Sequence, residues 1–176
     1  MNITRHFTRL SIACALIAVP MLSATARESQ DLPNFHQVGP GIYRGAAPTS
    51  AGLTKLKAMG IRTVIDLRIA PKTVKKEKAI AQGMGFNFIN LPMGSDPPTQ
   101  KQVNTLLATL KKAPGEPVFV HCQHGADRTG CMIGIYRETQ QGWQWEPTFK
   151  EMRKYGFNPR WTKLSAATKE RVGKQN

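Results

Sequence analysis

Short apolar runs alternate with stretches of helical period along most of the chain. Ile42 to Arg44 reads as a short strand, and Pro48-Thr49-Ser50 then opens a helix whose apolar positions Leu53, Leu56 and Met59 share a face. Gly60 ends that helix, and Thr63 to Leu67, rich in β-branched residues, predicts a buried strand. Pro71 breaks the chain before a second helix over Thr73 to Met84, closed by Gly83 or Gly85. Phe86 to Leu91 alternates as a strand does. After the loop Pro92 to Pro98, Thr99 is a candidate N-cap for a helix to about Lys112, with Val103, Leu106, Leu107 and Leu110 as its stripe. Pro114 to Pro117 turns the chain into the strand Val118 to Val120. Helices follow over Thr129 to Gln141, from Glu146-Pro147 onward, and on to about Arg171. Arg27 to Phe35, polar and with a proline, reads as an exposed lead-in.

Strands separated by helices predict one α/β domain, with a central, mainly parallel sheet of four to five strands and helices on both faces. The first 26 residues stand apart from it. Arg5 and Arg9 precede the apolar stretch Leu10 to Leu22, and Ala24-Thr25-Ala26 fits a cleavage site, so residues 1–26 are expected to be a signal peptide and 27–176 the working domain. That stretch is too short and interrupted for a membrane span, so no stable membrane insertion is expected after cleavage. The expected home is the periplasm or the exterior.

A net charge of +14 suits solubility or the steering of anionic substrates. It lacks the aromatic-interleaved basic stripe of a nucleic-acid binder, and no nucleic-acid partner is expected. Its densest cluster, Lys72, Lys75, Lys76 and Lys78, reads first as a solvated helix face. Of the cysteines only Cys122 and Cys131 follow residue 26, which implies no disulfide framework. Cys131 reads as a small buried residue rather than a redox partner.

The most informative residues are His121-Cys122-Gln123-His124-Gly125-Ala126-Asp127-Arg128-Thr129-Gly130, between an apolar strand and a helix. A tight loop in that setting wraps backbone N–H groups around one point and aims a helix N-terminus at it, which suits a phosphate-sized oxyanion. The same field favours a thiolate, making Cys122 a candidate nucleophile, and Arg128 offers a planar fork for two phosphoryl oxygens. Amides from Gln123, His124, Gly125, Ala126, Asp127 and Arg128 would complete the cradle, with Gly125 permitting close approach or positive φ. Thr129 either donates to the Cys122 sulfur, easing its departure, or caps the helix.

This His-Cys-x5-Arg-Thr run resembles the signature of the cysteine-dependent protein tyrosine and dual-specificity phosphatases. Ile42-Tyr43-Arg44-Gly45-Ala46-Ala47-Pro48-Thr49 and Thr63 to Arg68 are similar to segments of the compact, atypical members, and the likeness spans roughly Val38 to Phe157. The resemblance implies a metal-independent phosphomonoesterase working through a phosphocysteine, with no cofactor, as a monomer acting on a phosphorylated protein or small anionic phosphoester. It also implies that His121 orients the loop and supports the thiolate from behind. The general acid is either Asp96, 26 residues before Cys122, or Asp127 within the loop, with a slight preference for Asp96. The other reading of Asp96 is an Asx-turn, and of Asp127 a loop-stiffening contact. His121, Cys122 and His124 crowd one turn without a second ligand cluster, so no metal is expected.

The absence of Lys or Arg from the loop's x positions favours aryl or protein phosphate over inositol phosphates or phosphoinositides. A catalytically idle phosphate-binding module is the alternative from another class; a rhodanese-like sulfur-transfer loop fits Thr129-Gly130 and His121 poorly. Asp66 and Arg68 read as a structural pair. Trp143, Trp145, Tyr155 and Trp161 read as packing residues, one of which is a candidate for the substrate mouth.

Overall fold

The computed structural model describes residues 30–171, so the expected leader and its cleavage site lie outside the described residues. In chain order these form β1 (His36–Gly39), β2 (Ile42–Gly45), α1 (Ser50–Ala58), β3 (Thr63–Asp66), α2 (Pro71–Gly83), β4 (Asn87–Asn90), α3 (Gln100–Lys111), β5 (Val118–His121), α4 (Asp127–Gln141), α5 (Trp145–Lys154) and α6 (Thr162–Lys169). The sheet runs β1-β2-β5-β3-β4, with β1 antiparallel to β2 and every other pair parallel. This is the single α/β domain read from the sequence, with the signature strand β5 at its centre.

β5 is buried along its whole length because both faces of the sheet are covered. Val118 and Val120 pack with Ile65 and Ile42 against α3, α4, α5 and α6, through Leu106, Met132, Met152 and Leu164. Phe119 packs on the other side with Val64, under Leu53 and Leu56 of α1 and Val74 and Ala81 of α2. A parallel strand buried twice reads as a continuous apolar run, which Val118-Phe119-Val120 is. The next inward-facing position on the α1/α2 side is His121, and there the chemistry begins.

Local signals fix the helix starts. Thr49 caps α1 by accepting from Gly52 N at 3.0 Å. Thr99 and Gln102 form a reciprocal capping box on α3.

Several expectations need correction. Pro71 does not break the chain but sits at the first position of α2, where its missing N–H costs nothing. Met59 is 44% exposed and lies beyond the apolar face of α1. The lead-in is not exposed throughout, since Leu32 joins the α1/α2 core, Phe35 stacks on Tyr43 at 5.5 Å, and the edge strand β1 follows immediately. α4 starts at Asp127, not Thr129, so Asp127 and Arg128 belong to its first turn.

Candidate active site

The loop after β5 is shaped from behind. The Cys122 carbonyl lies 3.2 Å from His121 Nδ1, the Gln123 carbonyl accepts from Ala47 N at 3.3 Å, and the His124 carbonyl accepts from Asn34 Nδ2 at 3.1 Å. The Gly125 carbonyl accepts from Arg44 Nη2 at 2.6 Å. No peptide among the described residues is cis. In a trans peptide the C=O and the following N–H point opposite ways. Holding these carbonyls outward therefore turns the amides of Gln123, His124, Gly125 and Ala126 inward. The Ala126 carbonyl enters the ladder of α4 through Gly130 N at 2.8 Å, leaving the amides of Asp127 and Arg128 as orphan donors of the helix start.

Gly125 is required here: its φ is 68°, and a Cβ at this position would fall 2.4 Å from the Gly45 carbonyl carbon. The end of β2 thus lies directly against the back of the loop.

Cys122 is 2% exposed at the base of this cradle. Arg128 is half-buried, and its Nη1 approaches the Met93 carbonyl at 3.4 Å, which links it to the loop after β4. Asp96, on that same loop, is exposed and paired with Lys163 Nζ at 2.7 Å. Asp127 Oδ1 accepts from Asn158 N at 2.8 Å, so its carboxylate is turned to the α5–α6 connection. The two acid candidates are thereby fastened to one segment, Asn158 to Lys163. Thr129 is not a helix cap, because Ala126 holds that position without a side-chain bond. The Thr129 hydroxyl is fully buried and has no hydrogen-bond partner, the Cys122 sulfur included.

Behind Cys122 lies a buried ionic network. His121 Nε2 is 2.8 Å from Glu77 Oε1, close but outside hydrogen-bond alignment. Glu77 Oε2 accepts from Arg68 Nη2 at 2.6 Å, and Arg68 also pairs with Asp66 at 2.8 Å. Burial opposes the Arg68 charge, but hydrogen bonding to Asp66 and the two carboxylate charges outweigh it and raise its pKa above the usual value. Asp66, Glu77 and His121 have ligand atoms within 4.8 Å of one another, a spacing a metal ion accepts. The Arg68 guanidinium already serves both carboxylates, which leaves that cluster its own cation. His124 is exposed and is not a member of it.

Cys131 is fully buried, and burial pushes its thiol up to about 11, as suits an inert core residue. Arg137 covers Trp143 at 4.4 Å, Trp145 stacks on Phe149 at 4.8 Å, and Tyr155 packs under Arg44 at 4.6 Å. Trp161, between the Asp127 and Asp96 tethers, is 37% exposed. Sequence reasoning missed Asn34, Arg44 and Glu77. The available signals were an arginine inside an apolar strand, a Pro-Asn turn, and the one acidic residue of a lysine-rich helix.

A family described as DSP-PTPase phosphatase fused to NAD+ Kinase matches residues 19–170. The chain belongs to this dual-specificity phosphatase family. Dual specificity protein phosphatase TpbA of Pseudomonas aeruginosa (strain UCBPP-PA14) is 29% identical over 142 residues, 80% of this chain and 62% of that protein. Inositol diphosphatase DSP3 of Arabidopsis thaliana is 30% identical over 125 residues, 69% of this chain and 61% of that protein. This phosphatase-family chain thus spans somewhat under two thirds of the length of those curated relatives. The crystal structure of P. aeruginosa TpbA in complex with pTyr matches with a TM-score of 0.65 at 25% identity, covering 77% of this chain and 82% of that one.

Proposed function

We propose that this dual-specificity phosphatase-family protein is an exported phosphomonoesterase that hydrolyses aryl and protein phosphates through a phosphocysteine. The observation that carries the reading is the set of loop carbonyls tied outward, which leaves a ring of inward amides at the base of which Cys122 sits. The Cys122 thiolate attacks phosphorus, the ester P–O bond breaks, and the departing oxygen takes a proton from the general acid. Water then attacks the phosphorus, the S–P bond breaks, the acid recovers its proton, and inorganic phosphate leaves. Arg128 and the amides stabilise the charge on the equatorial oxygens in both steps. Nucleophile and charge stabilisation both come from the chain itself, so the reaction runs without a metal.

Asp96 is preferred as the acid because Arg128 holds its loop at Met93. Each candidate has one carboxylate oxygen engaged, Asp96 with Lys163 and Asp127 with Asn158, so the variants below decide between them. The aryl preference draws on the lack of Lys or Arg among the x positions and on the pTyr complex of TpbA. Export rests on the leader-like residues 1–26.

The test is turnover of para-nitrophenyl phosphate. Activity is expected to survive EDTA, stop with vanadate and vanish in Cys122→Ser; anion binding without turnover would instead make the domain an idle phosphate-binding module. Asp96→Asn is expected to lower kcat on phenyl phosphate, a poor leaving group, by roughly a hundredfold or more, and to erase the basic limb of the pH–rate profile. Should Asp127→Asn do so instead, the acid is Asp127.

One observation favours a second reading, hydrolysis of inositol phosphates. A cavity of about 240 Å³ lined by Thr49, Ser50, Thr73 and Lys76, and also by the Arg68–Glu77 pair, offers the Lys76 ammonium and three hydroxyls to a second anionic group. A kcat/KM for an inositol pyrophosphate above that for a phosphotyrosine peptide would move the assignment there.

A further inference from the structure

We infer that Asn34 and Arg44 are positioning residues of the phosphate loop, which aim the Gly125 and Ala126 amides at the bound oxyanion without touching it. The inference rests on the reading of this loop as a phosphoryl cradle and adds to it a requirement for two side chains from outside the signature.

Arg44 is an unusual residue to find where it is. Its side chain is fully buried in β2, yet it has no carboxylate partner. Burial lowers its pKa to about 10, which leaves it charged at neutral pH. Nη2 donates to the Gly125 carbonyl, the guanidinium lies over the Tyr155 ring, and Nε and Nη1 have no hydrogen-bond partner. The charges it senses are Glu151 and Arg137 from the helices, Tyr155, and Cys122. An aliphatic residue would fill β2 without the desolvation cost of an isolated cation. What the guanidinium supplies and an aliphatic residue lacks is a donor rigid enough to hold the Gly125 carbonyl to the rear.

Asn34 is unusual in a different way, as the one non-glycine residue with positive φ, 52°, among the described residues. Asparagine tolerates that region better than most residues, but glycine tolerates it best. The amide explains the choice. Nδ2 donates to the His124 carbonyl at 3.1 Å and to the Tyr155 carbonyl at 3.0 Å, and Oδ1 faces His36 Nε2 at 3.2 Å. One side chain thus clips the lead-in, the phosphate loop and the end of α5 together. Peptide planarity then does the rest, since a carbonyl pinned rearward commits the next N–H forward.

The pairing is specific, and that makes it testable. Asn34 governs the Gly125 amide through the 124–125 peptide, and Arg44 governs the Ala126 amide through the 125–126 peptide. The variants are Asn34→Gly, which keeps the positive-φ backbone and removes only the amide, and Arg44→Met, with Arg44→Lys as the charge-preserving control. Oxyanion binding is measured by titrating tungstate into each variant in the Cys122→Ser background, followed by calorimetry and by amide proton–nitrogen spectra.

In the parent, tungstate is expected to shift both the Gly125 and the Ala126 amide resonances downfield. Asn34→Gly is expected to lose the Gly125 shift, Arg44→Met the Ala126 shift, and each to weaken tungstate about tenfold while the spectrum of the β-sheet stays that of the parent. In the active background the same variants are expected to lower kcat as well as raise KM, with Arg44→Lys recovering part of both. If both variants bind tungstate within twofold of the parent and keep both amide shifts, the inference is wrong although the phosphatase reading stands. If the parent itself neither binds tungstate nor turns over substrate, the phosphatase reading fails and takes this inference with it.

Discussion

Thr129 isolates what a buried hydroxyl does when the fold gives it nothing to bond. It sits in the first turn of α4, fully buried, with its oxygen unpartnered. An unmade buried hydrogen bond costs on the order of 1–3 kcal/mol, so the hydroxyl is a liability in the resting fold. A phosphorylated or departing Cys122 gives it an acceptor in the second half of the reaction. Thr129→Val is therefore expected to leave the protein as stable as before or up to about 1 kcal/mol more stable. It is also expected to slow breakdown of the phosphocysteine, seen as a larger burst of para-nitrophenol over a slower steady state. A loss of several degrees in Tm with no change in the burst would make Thr129 a structural residue only. The two aspartates show a complementary economy. Each acid candidate meets the C-terminal part of the fold, Asp127 through the Asn158 amide in the α5–α6 connection and Asp96 through the exposed Lys163 in the first turn of α6.

Among the elements, α4 carries the most function, yet its start is poorly legible in the sequence. It is buried on nearly all sides between the sheet and α5 and α6, so no apolar stripe marks its start, and the residue pattern puts the loop–helix boundary two residues late. By contrast α1 and α3, with one covered face each and a threonine cap, are legible almost to the residue. β1 is invisible because a four-residue edge strand of His-Gln-Val-Gly carries no alternation to speak of. The phosphate loop itself is readable because its chemistry is local. Asn34, Arg44 and Ala47 are not, since their link to the loop exists only after β2 pairs with β5. Close packing around α4 yields a paired prediction. A side-chain carbon at Gly134 would lie 2.7 Å from Thr168 Cγ2 and 3.1 Å from Thr148 Cγ2, whereas one at Gly83 in α2 meets nothing within 4 Å. Gly134→Ala gains helix propensity of about 1 kcal/mol but overpacks the seam by about 1–3 kcal/mol, a net loss. Gly83→Ala keeps the gain without the clash, and urea denaturation of the two variants should move the midpoint in opposite directions.

For the molecule as a whole, the seam that seats α4 also predicts an unusual dependence of stability on pH. Glu138 lies one turn beyond Gly134, 1% exposed, with neither carboxylate oxygen hydrogen-bonded. The Thr148 hydroxyl donates to the Gln144 carbonyl at 2.9 Å. Burial raises the Glu138 carboxyl from 4.5 to about 7, against the opposing pull of Thr148 and the Arg171 charge. The folded protein thus holds this proton up to about pH 7, while the unfolded chain releases it near pH 4.5. Stability from this group is complete below the unfolded value, declines as pH rises through that window, and levels off above it. The loss is on the order of a few kcal/mol. Its direction is opposite to that of a salt-bridged carboxylate, which stabilises at high pH and fails in acid. Relative to Glu138→Gln, the parent's urea midpoint should fall between pH 5 and pH 8. His36, whose pKa burial and Arg44 lower, pulls both proteins the other way. Glu138→Gln keeps the shape and the neutral form and so lacks that fall. Every other titrating group is common to both proteins, so the difference between the profiles belongs to Glu138. Parallel profiles would mean that the carboxyl finds solvent or a counter-charge after all, and that the α4–α5–α6 seam opens without penalty.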